Sequence, residues 1–178
     1  MAKKLYFIFF ACLTLTCQTN ERKLIEFKTD TYSIFYPSDL KLDKSKTDGT
    51  EFMLFTDKTS QNDNFIENIN LIIHNNYNSN LKGYVEYANK EIRKVARIKR
   101  TEIINNNGIK THRMIFEIEE NNTQLTILQH SLIANNKLFI LTFSSKSKEF
   151  STYRKKMEGV MLSFKSLIDN DIMLPSRL

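Results

Sequence analysis

The sequence predicts an α+β domain: a twisted, mostly antiparallel sheet of about six to seven strands with two long helices packed on it. Three observations carry this. Short runs in which apolar and polar residues alternate recur along the chain, as half-buried strands require. Two longer stretches instead repeat apolar residues at three- and four-residue spacing, the pattern of an amphipathic helix. In the second half, strands are separated by Asn-Asn or Asn-Asn-Gly, which favours tight hairpins and therefore a meander. A chain of 178 residues suits one domain and can bury about two thirds of its unfolded surface. With 41% hydrophobic residues, thirteen Phe and only four Gly and two Pro, it has material for a core and little for linkers.

The first element stands apart from that domain. Lys3 and Lys4 precede an apolar run from Leu5 to Leu15, too short to span a hydrocarbon layer of about 30 Å but of the length of a signal-peptide core. Residues 1–16 are therefore expected to be removed on export. Leu13-Thr14-Leu15-Thr16-Cys17 resembles a bacterial lipoprotein signal, in which a cysteine is lipidated and becomes the new N-terminus. Cys12, the other cysteine, is a competing acceptor, but it would leave a very short apolar run. If cleavage precedes Cys17, Cys12 leaves with the peptide and the mature chain has no disulfide partner. An ordinary signal peptide and a retained N-terminal anchor are the alternatives.

Residues 17–23 read as a polar tether. Leu24 to Lys28 and Tyr32 to Tyr36 follow as strands, with Thr29-Asp30 as their turn and Pro37 as a stop; Lys41 to Thr50 reads as a charged loop around Asp48-Gly49. Glu51 to Phe55 is a strand whose continuous apolar run asks for cover on both faces. Phe65 to His74 is the strand around which the chain is organised: Ile69, Leu71 and Ile73 share one face, and Ile72 demands some cover on the other. Asn80 is a suitable cap for a helix from Leu81 to about Ile98, whose far end gathers Arg93, Lys94 and Arg97 to Arg100, cations that favour a helix C-terminus. Strands then follow over Arg100 to Ile104, Ile109 to Glu119, Thr123 to Ala134 and Leu138 to Ser144. A two-residue turn at Asn121-Asn122 sets Ile118 opposite Leu125 and Phe116 opposite Ile127, so the register buries apolar pairs. A last helix is expected over Lys148 to about Leu167. Residues 168–178 contain Pro175, lack periodicity and read as a tail, which leaves 24–167 as the domain.

Tyr32-Ser33-Ile34-Phe35-Tyr36-Pro37 followed by Asp39-Leu40, then Glu67-Asn68-Ile69-Asn70-Leu71, a helix, a meander and a closing helix together resemble the PsbP/Mog1/DcrB-like superfamily over roughly residues 23–167. The resemblance implies an αβα sandwich and an exported accessory or binding protein that works through contacts with a larger assembly. It brings no functional residues with it, because the matching motifs are structural.

The residues themselves offer no catalytic site, metal site or cofactor loop. His74, His112 and His130 lie on three separate predicted strands, whereas a metal needs convergent ligands. In the predicted register His130 is opposite Arg113 and His112 is opposite Ser131. No Gly-x-Ser-x-Gly element or phosphate-cradling glycine loop is present, and Glu117 and Glu119 share a strand face where solvated carboxylates are normal. The formal charge of +6 falls to +4 once Lys3 and Lys4 are removed. Export argues against nucleic acid as the partner of that excess and for an anionic membrane surface. Tyr77, Tyr87 and Arg93, around the first helix, are the residue types of binding hot spots. The reading is a non-enzymatic protein held in the bacterial envelope by lipid on Cys17, on the periplasmic face of the outer membrane by preference, and bound to another envelope protein. The alternative is a carrier of a small molecule or lipid with a cavity between sheet and helix.

Overall fold

A computed structural model describes residues 23–61 and 63–167. The signal segment, Cys17, the tether up to residue 22 and the tail 168–178 lie outside the described residues. Ten strands and two α-helices follow one another: β1 (Leu24–Lys28), β2 (Tyr32–Pro37), β3 (Lys41–Asp43), β4 (Phe52–Phe55), β5 (Asn68–His74), α1 (Leu81–Ile92), β6 (Arg97–Asn106), β7 (Ile109–Glu120), β8 (Thr123–Ala134), β9 (Lys137–Lys146), α2 (Phe150–Leu162) and β10 (Lys165–Ser166). The main sheet has seven strands in the order β3-β4-β5-β9-β8-β7-β6, and every neighbouring pair is antiparallel. Helix α1 covers one face. The other is covered by α2 and a second, three-stranded sheet, β1-β2-β10.

The hairpins form where asparagine tolerates a left-handed backbone. Asn107-Gly108, Asn121-Asn122 and Asn135-Asn136 each have positive φ at both residues, the geometry of the two-residue turn whose twist matches the flanking strands. The register that follows is the one the apolar pairs predict: Phe116 opposite Ile127, Ile118 opposite Leu125, Arg113 opposite His130 and His112 opposite Ser131. β5 joins β4 to β9, so the strand from Phe65 onward does link the two halves, although β9 is the centre of the sheet.

Two cores result, one on each face. Beneath α2 and the small sheet, Phe52, Leu54, Ile69, Leu71, Phe139, Phe143 and Met157 are fully buried, and Phe164 stacks on Tyr32 at 5.7 Å between ring centroids. Beneath α1, Tyr84 and Ala88 pack on Met114, Phe116, Leu125, Ile127 and Leu138.

Four expectations are corrected. Helix α1 starts where expected, with the Asn80 side chain accepting from the Gly83 N–H at 2.9 Å, but it ends at Ile92. Residues 97–98 belong instead to β6, where Arg97 pairs with Glu117 and Ile98 with Phe116. Ladder hydrogen bonds and burial of Ile98 outweigh the helical pattern, so Val95 is left 76% exposed and the basic cluster lies mostly on a strand. Helix α2 ends at Leu162, because Phe164 turns into the core and β10 pairs with β2 through Lys165–Ser33 and Ser166–Tyr32. β1 and β2 are not in the main sheet; they build the small one with β10. The loop at 41–50 contains β3, paired with β4, before a short 3-10 turn at Thr47–Gly49.

Candidate functional site

The side chains expected to meet around α1 are spread along it. Tyr77 lies before the helix, half-buried, with its ring edge-on to Tyr84 at 6.3 Å and its N–H donating to the Asn136 carbonyl at 2.6 Å. It holds the entry of α1 against the β8–β9 turn. Tyr87 is in mid-helix, 63% exposed, with its ring facing away from the core. Arg93 lies past the last turn, at the far end from Tyr77. The structure therefore does not bring the three into one cluster.

Arg93 opens instead onto a groove of about 880 Å³, between the turn that follows α1 and the neighbouring ends of β7 and β8. Val95, Ala96, Ile98 and Ile118 give it apolar surface; Arg93, Arg97, Glu117, Glu119 and Gln124 give it polar and charged groups. Arg97 reaches Glu117 with Nη2 at 2.6 Å and Nε at 3.2 Å, and Lys99 Nζ is 3.4 Å away. The Arg97 hydrogen bonds hold the Glu117 carboxyl below its ordinary range, so Glu117 is an ion-paired carboxylate rather than a poised acid. A second groove, of about 550 Å³, lies between the start of α1 and the edge strand β6. Leu81, Val85 and Ile103 line it, with the polar Asn80, Lys82, Glu86 and Lys110 around them.

The histidines do not converge. His74 is exposed at the end of β5. His112 faces the α1 layer, with Nε2 2.8 Å from Thr101 Oγ1 and its ring against Tyr84, whose hydroxyl meets Ser131 Oγ at 2.9 Å. His130 faces the α2 layer. Among the described residues no three His, Cys, Asp or Glu side chains are grouped to hold a metal.

Sequence reasoning missed a charge chain under α2 that is centred on a buried arginine. Arg113, 8% exposed, donates from Nη1 to Glu102 Oε1 at 2.5 Å, and its Nε lies 2.7 Å from Glu158 Oε1, close enough for an ion pair though not aligned as a hydrogen bond. Arg100 flanks Glu102 at 2.8 Å, and Arg154 flanks Glu158 at 3.3 Å, so charge alternates from β6 through β7 to α2. His130 Nε2 is 3.9 Å from Glu158 Oε1, and neither ring nitrogen has a hydrogen-bond partner. Burial pushes His130 down to about 4, with Glu158 opposing the shift and Arg113 and His112 adding to it. The only signal in the sequence was Arg113 opposite His130 in register; Glu158, on a helix that follows β9, completes the group through tertiary packing alone. This chain clamps α2 to the sheet and has no opening to a substrate among the grooves described above.

No family model and no curated protein matches this chain. Solved structures do. Cyanobacterial PsbP (CyanoP) from Synechocystis sp. PCC 6803 superposes with a TM-score of 0.58 at 15% identity, over 84% of this chain and 95% of that one. LpqN of Mycobacterium tuberculosis, described as involved in cell envelope biogenesis, gives 0.57 at 11% identity over 83% and 92%. PA94 of Pseudomonas aeruginosa, described as a protein of unknown function and putative regulator, gives 0.57 at 9% over 79% and 94%. At these identities the likeness is one of fold: the chain from β1 to β10 has the α+β fold seen in these structures.

Proposed function

We propose that the protein is a non-enzymatic accessory module of the bacterial envelope, lipidated on Cys17, which binds another envelope protein through Tyr87 on α1 and the groove beside Arg93. The observation that carries the partner surface is the exposed apolar surface on this side: Val95 is 76% and Tyr87 63% exposed, flanked by charged side chains. Large apolar side chains left in water beside a charged rim suit a protein–protein contact, in which the apolar centre supplies affinity and the rim supplies orientation. Tyr77 supports the surface from below by fixing the start of α1. No helix among the described residues is long and apolar enough to cross a membrane. Attachment in this reading rests on the lipid, and the several acyl chains of a mature bacterial lipoprotein hold far more firmly than one. The envelope role described for LpqN and the shared fold support the setting.

Site-specific photocrosslinkers at Tyr87, at Val95 and, as a control, at Lys155 on α2 test this in the native host. A discrete adduct from the first two positions and none from the third is the expected result; adducts only from Lys155 would move the partner to the opposite face. Intact mass of the membrane-extracted protein, beside a Cys17→Ala version, reports the lipid separately. The groove lined by Leu81, Val85 and Ile103 favours a second reading, an apolar-ligand carrier. Co-purification of a lipid or small molecule that is lost in Val85→Asp would select it.

A further inference from the structure

We propose that the outer face of the small sheet, centred on Leu24 and Phe35, rests on the surface of an anionic phospholipid bilayer, so that the anchored protein has a fixed orientation. This rests on the lipid-anchored reading above. The alternation of β1 and β2 sends Ile25, Phe27, Ile34 and Tyr36 to the core. Leu24 and Phe35 therefore take the other face, where they are 63% and 36% exposed. With Pro37, Gly159 and Val160 they line a shallow depression of about 340 Å³. The same register puts Lys28 and Lys165 on this face, since both are opposite Ser33, two residues from Phe35. Lys156 lines the depression, and Lys155 is exposed one helical turn before Gly159. Four lysines thus surround two large apolar side chains, against Glu26 and Asp39, the latter paired with Lys156 at 2.8 Å.

An apolar centre ringed by flexible cations is the chemistry of a membrane interface: the rings and methyl groups enter the headgroup region while the ammonium groups meet phosphates. Where the chain leaves the fold selects this occupant. β1 begins at Leu24, on the patch itself, and only residues 18–23 separate it from Cys17, a reach of at most about 25 Å fully extended. The other end leaves elsewhere: Leu167 donates to the Thr31 carbonyl, at the end of β2 away from Pro37. An anchor at Cys17 therefore brings the bilayer to Leu24 and Phe35 before any other apolar surface. It also turns α1, on the opposite side of the main sheet, away from the membrane.

The test uses the lipidated full-length protein in vesicles of phosphatidylglycerol and phosphatidylethanolamine. With Cys17 acylated and Cys12 discarded, Phe35→Cys, Leu24→Cys or Tyr87→Cys each adds the single free thiol for a bimane label. Expected is strong quenching by spin-labelled lipid at positions 35 and 24 and little at 87. Lys28→Glu with Lys165→Glu is expected to weaken it, because each lysine near an anionic surface is worth roughly fivefold in partitioning. Equal quenching at all three sites, or emission at 35 that is blue-shifted yet blind to the lipid quencher because protein covers the patch, overturns the inference. Intact mass of the same preparation separates the two failures: an unacylated Cys17 removes the anchor and this inference together, whereas an acylated protein without selective quenching at 35 and 24 removes this inference alone.

Discussion

Acid should weaken this fold through its buried histidines, His130 foremost, before its carboxylates matter. His130 is 1% exposed, and burial lowers its pKa from 6.5 to about 4. Between those values the unfolded chain carries a proton that the folded chain refuses, so unfolding takes up a proton and stability rises with pH. The contribution is complete above pH 6.5 and lost as pH falls toward 4. At about 1.4 kcal/mol per pH unit, the whole window amounts to roughly 3 kcal/mol, a large fraction of a typical domain stability of about 5–15 kcal/mol. Because both ring nitrogens lack partners at neutral pH, His130→Leu removes the titration without orphaning a hydrogen bond. The expected result, from urea unfolding at intervals between pH 7.5 and 4.5, is near-equal stability at pH 7.5 and a variant clearly more stable than wild type at pH 4.5. His112 is shifted the same way by burial and supplies the residual slope. If His130→Leu keeps the full wild-type slope over this range, the assignment of the window to His130 is wrong.

Three further outcomes follow from the packing. Arg113→Met leaves Glu102 and Glu158 without the buried cation they share and should lower the urea midpoint, by less than a fully buried pair would because Arg100 and Arg154 still face the two carboxylates; adding Glu102→Gln and Glu158→Gln should recover much of the loss. Phe164→Ala removes a ring packed on Tyr32 and Phe139 and should cost about 3–5 kcal/mol, seen as a lower urea midpoint. Asn80→Ala deletes the α1 cap and should cost about 1 kcal/mol, with faster amide exchange confined to the first turn of α1.

What the sequence made legible was local. Asparagine pairs announced the hairpins because few other residues accept positive φ, and once a turn has two residues the register follows from period-two alternation. Asn80 announced α1 for a similar reason. The losses came where partners distant in the chain decide. Val95 fits the apolar stripe of a helix, yet the chance to pair β6 with β7 ends the helix before it. Nothing within Lys165-Ser166 marks a strand; it becomes one because β2 offers an open edge. The candidate contact residues divide in the same way: Tyr87 is exposed, Tyr77 is bound up in packing, and Arg93 opens onto a groove that exists only because the helix stops early. The Arg113 charge chain needed the placement of α2, which no periodicity contains.

The layer that closes the fold is made from the two ends of the domain. Phe35 and Ser163, 128 residues apart, exchange hydrogen bonds, and β10 seals the edge of β2. A nascent chain that has released everything up to β9 can assemble all seven strands of the main sheet, but it has neither α2 nor Phe164 to lay over the larger core. Tyr32 and Phe139 lack the Phe164 ring that packs on both until the last described residues are free. Contacts at such separation are entropically late, so vectorial synthesis keeps this layer open until its C-terminal segment arrives.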